Sequence, residues 1–287
     1  MSACHDWIGR THTLSDVLTP AMLNRFRATI DSAETGDLAP QGIHWCLCTP
    51  EAATAVLGED GHPRRDSVAS FLPAIPLPRR MWASSACSFH APIRSGAQVS
   101  RTSMIADIAQ KSGSSGALVF VHLDHTVTAD GALAVHERQT LVYREAGVQS
   151  GPSARSTNTP VLELAAWNHH RSVTPTPPLL FRYSALTFNS HRIHYDAPYA
   201  RDVEGYAGLV VHGPLTATLL LDLAAREYGP NRLRSFSFRG VSPGFTDEPL
   251  HLVMRRAQYV LTLAALTNDG RIIMQAEGHF PAEHPSR

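Results

Sequence analysis

The pattern of apolar and polar positions changes character several times along the chain. In residues 14–35, LSDVLTPAMLNRFRATIDSAET, Met22, Phe26 and Ile30 recur at a spacing of four. Thr19 is placed to cap and Pro20 to open the first turn, so the stretch predicts a helix. A second short helix is predicted after Thr49-Pro50-Glu51, ending at Gly58. Residues 59–80 are crowded with proline, which removes backbone donors, and predict an irregular loop. From Met81 to Glu145 the pattern becomes that of strands, β-branched and aromatic, with an Asp130-Gly131 turn. These strands predict a curved antiparallel sheet. His122 and His125 differ by three, so they are expected on opposite faces of it.

Residues 146–178, rich in Ser, Gly and Pro, predict a linker that divides the chain near residue 160. Beyond it, LLFRYSALTFN (179–189) reads as a strand, and PLTATLLLDLAAREYG (214–229) as a helix apolar on nearly every side, hence buried. Three further strands close the chain. Each half is thus a few helical turns followed by long antiparallel strands, which predicts a duplicated architecture.

Composition narrows the class. The chain has 287 residues, 43% of them hydrophobic and 17% charged, the profile of a globular protein with one large or two modest domains. Lys+Arg and Asp+Glu number 25 each, so no electrostatic footprint for nucleic acid is present. No apolar run approaches the roughly 20 residues of a membrane span. The N-terminus MSACHDWIGR lacks the pattern of a signal peptide, and a cytoplasmic location is expected. The four cysteines, with Cys46 and Cys48 as C-x-C, complete no zinc set and read as reduced thiols.

Candidate chemistry concentrates between Phe181 and Ala217. Asn189, His191, His194 and Asp196 fall within eight positions, and the apolar run GLVV leads into His212-Gly213-Pro214 at the start of the predicted helix. A histidine near its ordinary pKa of about 6.5 can take and return a proton. Free N–H groups at a helix start can stabilise a developing oxyanion. His191 and His194 with Asp196 form no recognised metal motif, and no metal is expected. Arg64, Arg65, Arg79 and Arg80, in or beside the proline-rich loop, read either as solvated charges or as a clamp for phosphates.

The segment FNSHRIHYD with GLVVHGPL resembles the MaoC-like, hydratase-2 branch of the hotdog fold, closest to mesaconyl-CoA or itaconyl-CoA hydratases and to mitochondrial-type 3-hydroxyacyl-thioester dehydratases. The family motif is Asp-x-Asn-Pro-x-His. His194 falls on the motif histidine, Asp196 on a trailing aspartate, and His212-Gly213 on the helix-opening pair. Asn189 stands where the motif has aspartate, and His191-Arg192 replaces Asn-Pro. The resemblance implies an α+β double hotdog, two repeats each with a long helix wrapped by a curved sheet. A degenerate first repeat would span 1–160 and a catalytic one 161–287. It implies a hydro-lyase acting on an α,β-unsaturated acyl-CoA, a short branched dicarboxylic one such as mesaconyl-C4-CoA or itaconyl-CoA. The alternatives are a fatty 3-hydroxyacyl-thioester dehydratase and a non-catalytic acyl-thioester-binding protein. Coenzyme A would be part of the substrate and no cofactor is expected; a homodimer is. His194 would be base and acid and Asn189 would hold the attacking water. Gly213 with His212 would bind the thioester oxygen, and Arg192, Arg79 and Arg80 would contact substrate. A narrow opening should end between Asn189, His194 and Gly213.

Overall fold

The computed structural model describes residues 6–64, 70–113, 116–145 and 162–281. The first part runs β1 (Thr11–Val17), α1 (Pro20–Ile30), β2 (Arg79–Phe89), β3 (Gln98–Gly113), β4 (Gly116–Ala129) and β5 (Ala132–Arg144). The second runs β6 (His169–Val173), α2 (Pro177–Thr187), α3 (Ala197–Asp202), α4 (Gly213–Tyr228), β7 (Ser235–Gly240), β8 (Leu250–Ala257), β9 (Val260–Leu266) and β10 (Ile272–His279).

All these strands form one antiparallel sheet in the order β1-β3-β4-β5-β2-β7-β10-β9-β8-β6. With β6 matched to β1 and β7–β10 to β2–β5, the order reads the same from either end. The halves meet where β2 pairs with β7, from Ser84 opposite Arg239 to Ser88 opposite Ser235. The boundary expected near residue 160 falls outside the described residues.

The duplication is also visible in the local chemistry of α1 and α2. Each has 11 residues and opens on Thr-Pro. Thr19 Oγ1 accepts from Met22 N at 3.1 Å and Thr176 Oγ1 from Leu179 N at 3.4 Å, while proline at the next position loses only an orphan N–H. Both end on a left-handed residue, Asp31 at φ 53° and Phe188 at φ 48°. The segment expected as a strand at 179–189 is therefore mostly helix α2. Its apolar residues gave no clean period, and the Thr176-Pro177 cap decides the matter.

Other boundaries also moved. Leu14–Val17 belongs to β1, so the helix predicted over 14–35 begins only at Pro20. The short helix predicted at 49–58 is a 3-10 turn, Thr54–Val56. The predicted linker contains β6, and its residues 146–161 lie outside the described residues.

The core has an asymmetric centre. Helix α4 is buried continuously from Leu215 to Ala224, as its all-round apolar sequence requires. At roughly 1.5–3 kcal/mol for each fully buried leucine, α4 is a main source of the second half's stability. Its one buried acid, Asp222, is held by Arg171 of β6 and Arg226, each at 2.6 Å. Between α1 and β2 the described residues contain only the 3-10 turns Ile43–Cys46 and Thr54–Val56. The long helix expected in the first repeat is thus absent from its described residues. Strands β2–β5 there carry a buried polar belt, with Ser85, Ser103, His125, Glu137 and Gln139. As expected, His122 and His125 face oppositely: His122 bonds Thr140, whereas His125 turns inward to Ser103 and Gln139.

Candidate active site

The loop between α2 and α3 is shaped by backbone economy. The N–H of Asn189 closes α2 on Ser184 O at 2.9 Å. Asn189 Oδ1 then accepts the His191 N–H at 3.0 Å, an Asx turn that starts the 3-10 turn Arg192–His194. Asp196 caps α3, accepting from Tyr199 N at 3.0 Å, and its other oxygen takes Arg192 Nε at 3.1 Å. The extended run before α4 returns alongside, Val210 N donating to Ile193 O at 2.9 Å. That alignment puts the Val210 carbonyl in reach of His194 Nδ1 at 2.7 Å and brings His212 over His194. The two imidazoles stack at 3.6 Å between centroids, 18° from parallel.

A carbonyl only accepts, so His194 Nδ1 carries the proton toward Val210, and Nε2 holds the lone pair. Among the described residues no hydrogen bond engages Nε2. Burial pushes the His194 pKa down to about 3, with His191 adding to the effect and Val210 opposing it. The pKa near 6.5 expected from sequence is thus corrected: a ring in a protein interior loses the hydration its cation needs. His212 is also held well below the ordinary range, first by burial and then by His194 and His191. Both rings are neutral at pH 7. His212 Nε2 lies 2.8 Å from Ser184 Oγ, while its buried Nδ1 finds no partner among the described residues.

The predicted groups fall unevenly. Gly213 is the first residue of α4, and no side chain caps the helix there. A Cβ on Gly213 would have only the Trp82 carbonyl near it, at 3.9 Å, so space lies beside the helix end. Asn189 lies on the same loop, but its oxygen is already committed to the Asx turn. Arg79 is ion-paired with buried Glu204. Arg192 is tied to Asp196 at 2.8 Å, donates to Glu59 O at 3.1 Å and lies over the Tyr199 ring. Arg64 donates to Leu57 O at 3.1 Å and Ala55 O at 2.9 Å; Arg65 lies outside the described residues. Arg80 has no ion pair among the described residues and stands close enough to His62 to disfavour its cation.

Sequence reasoning passed over three groups beside the site. Asp60 and His62 come from the proline-rich loop, and Glu204 from just after α3; none has a local motif to mark it. It also passed over Glu137, which binds Ser85 and accepts from Trp45 Nε1 at 3.2 Å. Burial acts to raise the Glu137 pKa, but His44 and Ser85 overcome it and hold the value near 2.

Two cavities lie away from the stacked histidines. One is lined by His44, Phe89, His90 and Leu233, the other by Glu34, Thr218, Asp222 and Asn231. Neither is bordered by Asn189, His194 or Gly213, so the expected opening is not among them. The donor atoms of Asp60, His62 and His191, and those of His44, Cys87 and Glu137, lie close enough to share a cation. The set weighed from sequence does not converge, because Asp196 is occupied as cap and ion-pair partner.

The chain is similar in sequence and in fold to several known proteins. The family model described as hydroxyacyl-thioester dehydratase type 2 matches residues 42–246. A mesaconyl-C(4)-CoA hydratase from Chloroflexus aurantiacus is 42% identical over 94% of this chain and 95% of its own length. A mitochondrial hydroxyacyl-thioester dehydratase type 2 from Schizosaccharomyces pombe is 28% identical over 83% of this chain and 88% of its own. A solved Mycobacterium tuberculosis protein described as a double hotdog superposes with a TM-score of 0.58 at 13% identity, covering 94% of this chain and 95% of that one. The fold is a double hotdog, and the chain belongs to the hydroxyacyl-thioester dehydratase type 2 family of hydratases and dehydratases, a lyase family.

Proposed function

We propose that this protein adds water to the double bond of a short, branched dicarboxylic enoyl-CoA, with mesaconyl-C4-CoA as the leading candidate. The observation that carries the reading is the free lone pair of buried His194 beside the uncapped start of α4, in a chain 42% identical to a mesaconyl-C(4)-CoA hydratase. His194 Nε2 takes a proton from water as the hydroxyl oxygen bonds the β-carbon. The electron pair of the double bond moves toward the thioester oxygen, where the Gly213 N–H and the dipole of α4 meet the charge. The proton then passes from Nε2 to the α-carbon, which returns His194 to its starting state and leaves one water added.

Other groups support this reading. The buried Nδ1 of His212 is an orphan that costs about 1–3 kcal/mol, and a hydrogen-bonding ligand would relieve it. Asn189 can offer its amide N–H to the water while its oxygen holds the loop. Arg80 is the arginine left to meet a substrate carboxylate or phosphate, since Arg79 and Arg192 are engaged. No step requires a cofactor; coenzyme A arrives with the substrate. Exposed Phe181 and Phe188, both on the α2 side of the site, suit cover by a second copy of the chain, and we assign a homodimer, in the cytoplasm.

The test is a panel of unsaturated acyl-CoAs followed by loss of conjugated thioester absorbance. Mesaconyl-C4-CoA should be turned over at least tenfold better than crotonyl-CoA. Equal or better crotonyl turnover would favour the second reading, a fatty 3-hydroxyacyl-thioester dehydratase, to which the family description points.

A further inference from the structure

The loop that carries His194 is held from outside its own repeat. The turn Gly58–Pro63 lies against it through a main-chain bond, Arg192 N to Asp60 O at 2.9 Å, and a side-chain bond, Ser190 Oγ to Gly61 O at 2.6 Å. Gly61 adopts φ +84°, and a Cβ there would collide with the Ser190 carbonyl, so only glycine allows this approach. The turn is itself braced, with Gly58 N donating to His62 O at 2.7 Å. Asp60 accepts twice from His62, from its N–H and from its Nδ1, each at 3.0 Å. The His62 ring then packs on His191 at 4.1 Å between centroids. Glu204, fixed by Arg79 of β2, also lies 3.8 Å from His191 Nε2. His191 meets the His194 ring edge-on at 5.5 Å and 87°.

We propose that Asp60 and His62 of the first repeat, with Glu204 of the second, clamp His191 as a positioning residue that fixes the His194 ring. None of the three contacts His194 directly, so each acts through His191. The working site is then built by both repeats, although its acid–base group comes from one. The inference rests on His194 being the proton-transfer group.

Steady-state hydration by the full-length enzyme tests it, with Asp60→Asn, His62→Gln, Glu204→Gln and His194→Ala measured side by side. Loss of ring positioning should lower kcat about tenfold in Asp60→Asn and His62→Gln, leave KM within threefold, and leave the melting temperature near the parent value. Asp60→Glu, which keeps a carboxylate on the same turn, should recover most of the rate. If His194→Ala is inactive while Asp60→Asn and His62→Gln stay within twofold of the parent kcat, the clamp is overturned and the proposed reaction stands. If His194→Ala is active, the proposed reaction fails and the clamp with it. Asp60 and His62 are only partly buried, unlike Glu204, so they decide the matter even where Glu204→Gln fails to fold.

Discussion

At the scale of single residues, the account turns on which ring nitrogen carries a proton. The Val210 carbonyl settles it for His194, and burial keeps the ring neutral. His194→Ala should lower hydration by roughly 10²- to 10⁴-fold with the fold intact by circular dichroism; near-parent rates would remove it from the chemistry. Asn189→Ala loses the acceptor of the Asx turn and should cost about 1 kcal/mol in a denaturant titration. Asn189→Asp keeps an acceptor and should hold parental stability. Equal destabilisation by both would show that the turn does not depend on that oxygen. The depressed histidines also set a pH dependence. His194 and His62 titrate near 3 when folded and near 6.5 when unfolded, so between those values the unfolded chain binds more protons. Their neutral burial carries no penalty above pH 6.5 and costs stability as pH falls toward 3, by up to about 1.4 kcal/mol per pH unit for each ring. The denaturation midpoint should therefore begin to fall below pH 6.5, before most carboxylates protonate. A midpoint flat down to pH 4.5 would contradict the buried neutral rings.

At the scale of elements, the start of α4 is where sequence and structure agree most fully. An unbroken apolar run announces a buried helix, and His212-Gly213-Pro214 marks its first turn; the helix runs from Gly213 to Tyr228. Gly213→Ala should fold, since alanine suits a helix and only the Trp82 carbonyl is near. The added methyl stands where the thioester must approach, so kcat/KM should drop about tenfold or more. Parental kcat/KM would free Gly213 from the oxyanion role. Long strands and the Asp130-Gly131 hairpin were equally legible, because a period of two and a turn dipeptide are local signals. Helix α2 was not, since LLFRYSALTFN fits either period and its meaning lies in the cap before it. The want of a second long helix among the described residues of the first repeat was not foreseen, because the resemblance implied one in each repeat. Asp60, His62 and Glu204 reach His191 only through the tertiary fold, and no spacing in the chain could have grouped them.

At the scale of the whole molecule, the continuous sheet through β2 and β7 and a core drawn from both halves make the repeats one cooperative body. Leu18, Phe26 and Val127 of the first half share one apolar cluster with Leu219, Phe236 and Leu263 of the second. Calorimetry should show a single unfolding transition; two separated transitions would mean that the repeats stand independently and that a site braced by both is not needed for the fold. The central claim is that this body presents one neutral imidazole, beside one helix end, to a conjugated thioester. Its most direct measurement is the decay of conjugated thioester absorbance when the parent enzyme and His194→Ala meet mesaconyl-C4-CoA. The account predicts rapid loss with the parent and loss slowed by at least about a hundredfold with the variant. Equal rates from the two, or no loss with either mesaconyl- or crotonyl-CoA, would contradict it.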